Sequence, residues 1–115
     1  MSETRSLKRQ ARKRHVRLKH RRSLAAGQRI PPALAVGFTT GERAALHIIA
    51  DECRAHGDCA MTIDGLAARA GIGGTTAKNV LRKAREDGLI TLERHRRASI
   101  VRIISQEWLK WLERQ

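Results

Sequence analysis

The segment Thr62–Ile90, TIDGLAARAGIGGTTAKNVLRKAREDGLI, decides the fold. Its start predicts a two-turn helix that Thr62 can cap, because apolar residues recur there at helical spacing. These residues are Ile63, Leu66, Ala67 and Ala70. The glycine-rich run 71–74 breaks this helix, and a second helix is predicted over about 75–87, ended by Gly88. The apolar residues of the second helix share one face: Ala77, Val80, Leu81 and Ala84. The segment therefore predicts two helices joined by a tight turn.

Upstream of this segment, a longer helix and a short strand are predicted. Thr39 and Glu42 have the spacing of a capping box, so the helix begins at Thr39 or Thr40. It ends at Gly57, since glycine is favoured just after a helix C-terminus. Its buried face is expected to carry Ala45, Leu46, Ile48, Ile49 and Cys53. Cys59–Met61 is too short for a helix and predicts a strand.

Downstream, the hydrophobic period changes from that of a helix to that of strands. The runs 89–94 and 99–104 are rich in β-branched residues and predict a hairpin. No Asn-Gly turn signal lies between them, so the tip of the hairpin is expected to be loose. Ser105 can cap a last short helix over 105–115. The apolar residues of that helix are Trp108, Leu109, Trp111 and Leu112.

The two helices of Thr62–Ile90 carry small residues where they meet, which is typical of a helix-turn-helix unit. The predicted fold is α+β and mostly α, with three helices, a hairpin of two or three strands and a short C-terminal helix. We predict a basic N-terminal arm and Pro/Gly linker over 1–38. The folded domain is predicted over 39–115, with its C-terminal helix at 105–115.

The chain is strongly basic, and the charge is unevenly distributed. It has 24 Lys and Arg against 11 Asp and Glu, for a formal net charge of +13. Residues 1–30 carry +10 of this charge, residues 31–73 carry −2 and residues 74–102 carry +5. Charge repulsion predicts that the N-terminal arm is flexible and extended. Pro31 and Pro32 predict that a linker follows it.

Three roles fit the basic arm. Clustered cations bind the phosphates of DNA or RNA and release counterions, but the same composition also occurs in tails that only raise solubility. A polybasic patch on a membrane surface is the third role, and here the arm lacks the bulky apolar face that would insert. We favour a phosphate-binding arm, whose candidate contacts are Arg12, Lys13, Arg14, Arg17, Lys19, Arg21 and Arg22.

The pattern resembles the winged helix-turn-helix family of DNA-binding proteins over roughly residues 40–104. The resemblance rests on Leu66-Ala67-x-x-Ala70-Gly71-Ile72, Thr76-Ala77-x-x-x-Leu81 and Gly88-Leu89-Ile90. This sequence differs from many members of the family at Gly73 and Gly74, where those members carry Ser or a bulky polar residue. The resemblance implies that the helix over 75–87 enters the major groove and that the hairpin wing touches the minor groove or the backbone.

The residues opposite the buried face of this helix are the candidate DNA contacts. They are Thr75, Thr76, Lys78, Asn79, Arg82, Arg85 and, at the edge, Lys83. Asn79 can bond an adenine edge, and Arg82 a guanine edge. The tip of the wing adds Arg94, His95, Arg96 and Arg97. The alternative is that both surfaces are merely solvated charged faces.

We therefore predict sequence-specific binding to double-stranded DNA by a bacterial transcription regulator, cytoplasmic and nucleoid-associated when bound. One alternative is a plasmid replication or DNA-transfer accessory protein. Others are an RNA-binding ribosome-associated or structural factor, and a winged helix that binds protein. The C-terminal helix either anchors onto the domain or forms a homodimer through Trp108, Trp111 and Leu112.

Other functions find little support in the sequence. Four residues with metal-ligating side chains lie close together in the sequence: His47, Cys53, His56 and Cys59. His47 and Cys53 do not share a helix face, so a metal site is not favoured. No arrangement of a nucleophile with a base predicts an enzyme. We predict no metal, no cofactor and no small-molecule ligand. No apolar stretch is long enough for a membrane span, and a secretory signal is not predicted.

Overall fold

A computed structural model describes the backbone of Ser2–Gln115 and the side chains from Leu7 onward. Within this part the chain is α+β and mostly helical, with six helices and a small three-stranded antiparallel sheet. The elements are α1 Ser2–Ala26, α2 Pro32–Ala35, α3 Thr40–His56, β1 Cys59–Met61, α4 Ile63–Ala70, α5 Gly74–Glu86, β2 Ile90–His95, β3 Ala98–Ile103 and α6 Gln106–Glu113. None of the helices described is both long and apolar enough to cross a bilayer.

The boundaries of α3 confirm the predicted capping signals. The Thr39 hydroxyl accepts a hydrogen bond from the Glu42 N–H at 3.2 Å, and the Glu42 carboxylate accepts one from the Thr39 N–H at 2.9 Å. These two bonds satisfy two N–H groups that the first turn of a helix leaves free. Gly57 ends the helix with a left-handed φ of 86°, which glycine adopts without steric cost.

The turn between α4 and α5 also follows the prediction. Thr62 caps α4 by accepting from the Gly65 N–H at 2.9 Å, and Gly71 ends α4 with φ 71°. α5 begins at Gly74 with no side-chain cap. α4 and α5 pack against each other, and the small residues Ala67 and Ala70 of α4 are buried. The predicted apolar face of α5 is also buried: Ala77, Val80, Leu81 and Ala84. The tertiary core therefore positions the opposite face of α5 outward.

The hairpin is tighter than predicted. β2 and β3 pair from Ile90↔Ile103 to His95↔Ala98, so only Arg96 and Arg97 remain for the turn. Arg96 takes a left-handed φ of 58°, a conformation that costs a non-glycine residue about 1–2 kcal/mol. Strand pairing up to the last residue closes the tip without a glycine. β1 completes the sheet on the other edge of β3, in the order β1-β3-β2.

The C-terminal helix packs within the chain. Ser105 caps α6 by accepting from the Trp108 N–H at 3.2 Å. Trp108 is 0% exposed, and its indole N–H donates to the Arg29 carbonyl at 2.8 Å. Trp111 donates in the same way to the Gln28 carbonyl, and Leu112 is buried. The residues considered for a homodimer seam are thus used as an intramolecular anchor, because their indole donors and apolar surface already have partners in the same chain.

The N-terminal region corrects the predicted flexible, extended arm. Residues 2–26 form one continuous 25-residue helix, α1. They contain no glycine or proline and are rich in Arg, Lys, Leu and Ala, which favour helix. The C-terminal end of α1 also packs against α3 and α4, and Leu24 contacts the core. Tertiary packing and intrinsic propensity together outweigh the charge repulsion on which the prediction rested.

The predicted linker is likewise part of the folded domain. Pro32 is the first residue of the short helix α2, a position that tolerates proline because its N–H would be unpaired there in any case. Ile30, Ala35 and Phe38 all belong to the hydrophobic core. A domain boundary after residue 38 would therefore cut through this core.

Candidate nucleic-acid interface

The outward face of α5 is a row of polar and basic side chains. Thr75, Lys78, Asn79 and Arg85 are exposed, and Thr76 is half-buried. The row follows directly from the burial of the opposite face, since residues three and four apart share one side of a helix. Polar groups on this face can therefore reach a ligand that lies along the helix.

Arg82 lies on the same face and is only loosely paired. Its Nη1 lies 3.4 Å from Glu86 Oε1 and 3.5 Å from Glu86 Oε2, one helical turn away. Exposed pairs at this spacing contribute about 0.3–0.5 kcal/mol. The guanidinium can therefore leave Glu86 at little cost and bond a base edge or a phosphate.

Lys83 is not part of this surface. Its Nζ donates to Glu42 Oε1 at 2.8 Å and to the Gly37 carbonyl at 2.6 Å. The same ammonium lies 4.9 Å from the centre of the Phe38 ring, within the range of a cation–π interaction. The sequence-based assignment of Lys83 to DNA is therefore corrected. The residue lies at the edge of the helix, and its partners on α3 and the preceding loop direct it inward.

The Glu42–Lys83 pair joins α3 to α5 beneath the interface. Burial by itself would raise the pKa of Glu42, but hydrogen bonds from Lys83 and the Thr39 N–H, with the charge of Lys83, outweigh it. The net pKa therefore lies below the usual value of 4.5. Because the folded state favours the ionised carboxylate, this stabilisation is complete above pH 4.5 and is lost as the pH falls through the lowered pKa.

Glu42→Gln is expected to lower the free energy of unfolding at pH 7 by about 1–3 kcal/mol, as for other hydrogen bonds to charged groups. The difference from the wild type should shrink as the pH falls below 4.5 and through the lowered pKa of Glu42, since the wild-type carboxyl then becomes neutral as well. Urea denaturation of both proteins at neutral and acidic pH measures this. A gap that stays constant with pH would show that the Glu42 charge plays no part.

The docked end of α1 meets the start of α5. A Cβ placed on Gly41 would lie 3.7 Å from Thr76 Cγ2 and 3.8 Å from Arg21 Cδ, so both side chains flank the same point. Arg21 is partly buried, and its Nε has no hydrogen-bond partner among the residues described. Sequence reasoning placed Arg21 on a free arm, whereas the structure brings it to the N-terminal turn of the predicted recognition helix.

Two further contacts hold α1 against the turn between α4 and α5. His20 Nε2 donates to the Arg69 carbonyl at 2.7 Å. A Cβ on Gly71 would lie 2.9 Å from the Arg17 carbonyl oxygen, so glycine is needed there for close approach as well as for its positive φ. No local pattern could have indicated these contacts, because they join residues about fifty positions apart.

The remaining cations of α1 are exposed. Of the nine Lys and Arg between Leu7 and Ala26, none has a carboxylate oxygen within 4.0 Å in the part of the chain that the structure describes. The exposed members of this group are Lys8, Arg9, Arg12, Lys13, Arg14, Arg17, Lys19 and Arg22. α1 therefore presents a dense positive charge to solvent.

The tip of the β2–β3 hairpin is a second exposed basic element. Its side chains are solvent-exposed: Arg94, His95, Arg96 and Arg97. Arg102, lower on β3, behaves differently, since it lies 3.6 Å from Glu93 and 3.8 Å from Asp58. The basic charge at the tip is thus free for a ligand, while the charge at the base of the hairpin is paired within the chain.

The four residues considered for metal do not converge. Cys53 donates its thiol to the Val101 carbonyl at 3.7 Å, whereas His47 pairs with Asp51 at 3.1 Å and His56 is exposed and lies 3.7 Å from Glu52. Burial raises the pKa of the Cys53 thiol to about 11 and that of the Cys59 thiol to about 12. Both thiols therefore stay protonated near neutral pH, and a protonated thiol is a poor nucleophile.

The chain matches no known family model, and no curated protein or solved structure is significantly similar to it.

Proposed function

We propose that this chain binds double-stranded DNA as a winged helix-turn-helix protein and regulates transcription. α5 lies in the major groove, the β2–β3 tip contacts the minor groove or backbone, and α1 contacts phosphates. The observation that carries the proposal is the segregation of charge. Of the 19 exposed Lys and Arg among residues 7–115, 14 lie on α1, α5 and the hairpin tip. All three carboxylates of α3 are instead held in ion pairs: Glu42, Asp51 and Glu52.

The order of elements supports this class of protein. α3, α4 and α5 are followed by a two-stranded hairpin, and β1, between α3 and α4, adds a third strand. This order agrees with what the resemblance to winged helix-turn-helix proteins implies. α5 packs on α3 and α4 and adjoins β2, so its outward face is presented by a rigid core.

The positions of the aromatic residues favour duplex over single-stranded nucleic acid. The chain has one Phe, two Trp and no Tyr. Phe38 and Trp108 are buried in the core, and Trp111 packs with its N–H bonded to Gln28. Single-strand binders commonly stack bases on exposed aromatic side chains, which this chain does not offer. Binding through phosphates and groove edges is the mode left to it.

The shape of the reading element favours DNA over RNA. The major groove of B-form DNA is about 12 Å wide and admits an α-helix. The corresponding groove of A-form RNA is too deep and narrow for side chains to read. A plasmid replication or transfer protein would bind DNA through the same surface. The location of the DNA site that the protein binds therefore distinguishes a transcription regulator from these alternatives. An RNA-binding factor would share the exposed cations of α1 and of the hairpin tip, because contacts to phosphates do not distinguish DNA from RNA.

Selection of binding sites from a pool of random DNA duplexes tests this proposal. We expect the full chain to enrich a defined motif, because Asn79 and Arg82 can bond base edges. RNA duplexes of the same length should bind less tightly at equal salt concentration. Enrichment of no motif, with equal affinity for unrelated duplexes, would reject sequence-specific regulation. Tighter binding to RNA duplexes would favour the RNA-binding alternative.

A further inference from the structure

The N-terminal half of α1, before the residues that pack on α3 and α4, is strongly charged. The proposed contacts of α5 to base edges do not explain this charge. We call residues 7–16 the free half, since all of them are exposed. The docked half begins at Arg17, whose carbonyl abuts Gly71, and continues through His20 and Leu24. Among the residues whose side chains the structure describes, the free half is therefore surrounded by solvent and joins the rest of the molecule at its Arg17 end.

The cations of the free half do not form a single face. At about 100° per residue, Lys8, Arg9, Arg12, Lys13 and Arg14 spread over about 240° of the helix circumference. A helix that lies on a membrane surface needs a broad apolar face, and here Leu7 and Ala11 form only a narrow stripe. Charge that points to both sides of the axis suits a helix with phosphates on both sides, as in a groove of duplex DNA.

The dimensions agree with such a placement. An α-helix with side chains is about 10–12 Å across, close to the width of about 12 Å of the major groove. The free half is about 14 Å long at 1.5 Å per residue, which matches about four base pairs at 3.4 Å per step. The free half could therefore contact a stretch of DNA in addition to the one that α5 reads.

The docking contacts set the direction of the free half. Gly71 and Arg69 belong to the end of α4, and α5 begins three residues after Gly71. α1 and α5 are thus attached to the same turn. A helix anchored in this way holds its cations at set positions, so less conformational freedom is lost on binding than for a flexible tail.

We infer that the free half of α1 is a second, rigid DNA-binding element, which lies in a groove of the same duplex and extends the contacted length by about four base pairs. The inference rests on the proposed DNA binding. It gives the helical form of residues 7–16 a role, since a flexible polycationic tail could contact phosphates without being helical. Like-charged neighbours one turn apart, such as Lys8 and Arg12, destabilise a helix in isolation. A polyanion in contact with both removes that repulsion.

His15→Pro tests whether the helical form of the free half matters. The substitution keeps every Lys and Arg, but it removes the hydrogen bond to the Ala11 carbonyl and places the proline ring against that carbonyl. The docked half should persist, because proline is tolerated in the first turn of the remaining helix. His15→Ala is the matched control, since it removes the imidazole and keeps the helix.

We expect His15→Pro to lower affinity for a 30-base-pair duplex by roughly ten-fold, an order-of-magnitude value for the loss of preorganised contacts. The minimum duplex length for full affinity should shorten by about four base pairs. His15→Ala should match the wild type in both measurements. Equal affinity and equal minimum length for His15→Pro and His15→Ala would overturn the inference and leave α1 as a flexible polycation.

A salt titration separates local phosphate contacts from net charge. Lys13→Gln/Arg14→Gln should reduce the slope of log affinity against log salt concentration by about two. Lys110→Gln/Arg114→Gln, on α6 and just after its end, removes the same residue types and the same charge and should change the slope little. Equal changes in the two double variants would overturn the assignment of the free half to phosphates.

The two proposals fail in different ways. If no motif is enriched but His15→Pro still shortens the minimum duplex length, sequence-specific reading is rejected and the α1 inference stands. If a motif is enriched and His15→Pro has no effect, sequence-specific reading stands and the α1 inference is rejected. A deletion of residues 1–30 is unsuitable for this test, because it would also remove Leu24 and Ile30 from the core.

Discussion

Trp108→Ala is expected to lower the free energy of unfolding by about 3–5 kcal/mol, the range for removing a large buried aromatic side chain. Trp108 is 0% exposed and is the largest of the fully buried side chains among the residues described. Its loss would leave a cavity beneath α6 and the Arg29 carbonyl without its donor. A domain of this size has a total stability of about 5–15 kcal/mol, so the variant should be partly unfolded near 37 °C. Urea denaturation followed by far-ultraviolet circular dichroism measures the change.

Two variants serve as controls for the anchoring role of α6. Trp108→Phe keeps most of the volume and removes the indole donor, so it should cost about 1–3 kcal/mol, the cost of an unpaired buried polar group. Trp111→Ala should cost less than Trp108→Ala, because Trp111 is only partly buried. The denaturation midpoint of the wild type should not depend on protein concentration. A midpoint that rises with concentration would instead indicate that α6 forms a seam between two copies.

Asn79→Ala and Arg82→Ala are expected to relax sequence preference, each at a different base pair. A good bidentate contact to a base edge gives about 1–3 kcal/mol of discrimination. Each variant should therefore lose roughly 5- to 150-fold in the affinity ratio between the selected site and a variant of that site at one base pair. Competition binding with the selected duplex and its single-base variants measures the ratio. Both side chains are exposed and make no core contact, so stability should change by less than about 0.5 kcal/mol.

Lys78→Gln provides the matched comparison on the same helix face. A residue that contacts phosphate contributes affinity but little sequence information, so Lys78→Gln should weaken binding to all duplexes by a similar factor. Loss of sequence preference with Lys78→Gln but not with Asn79→Ala would indicate that a different part of α5 contacts the base edges. Unchanged preference in all three variants would remove α5 as the reading helix.

The sequence was sufficient for features that depend on neighbouring residues. Capping by Thr39, Thr62 and Ser105 was predicted from spacing alone, since each cap joins residues three apart. The outward face of α5 also followed from its apolar period. The hairpin and its basic tip were predicted from composition, although the tip is tighter than expected because pairing continues to His95 and Ala98.

The sequence was not sufficient for features that depend on distant partners. Lys83 is diverted from the α5 surface by Glu42, which lies 41 residues away. α1 is helical and docked although its charge pattern predicts an extended chain, and its contacts involve a backbone carbonyl, a histidine and a glycine. A backbone carbonyl is present at every residue and does not change the hydrophobic or charge pattern of a sequence. The approach of α1 to the start of α5 could therefore not be predicted.

From residue 39 onward, the sequence by itself determined the order of the helices and strands, the caps that begin α3, α4 and α6, and the side chains that face outward from α5. These depend on periodicity and on hydrogen bonds within one turn. Only the tertiary structure decided that the basic N-terminal segment is a docked helix, that residues 30–38 belong to the core and that α6 closes over Arg29. Those outcomes depend on packing between segments far apart in the chain, where burial and shape complementarity outweigh local composition.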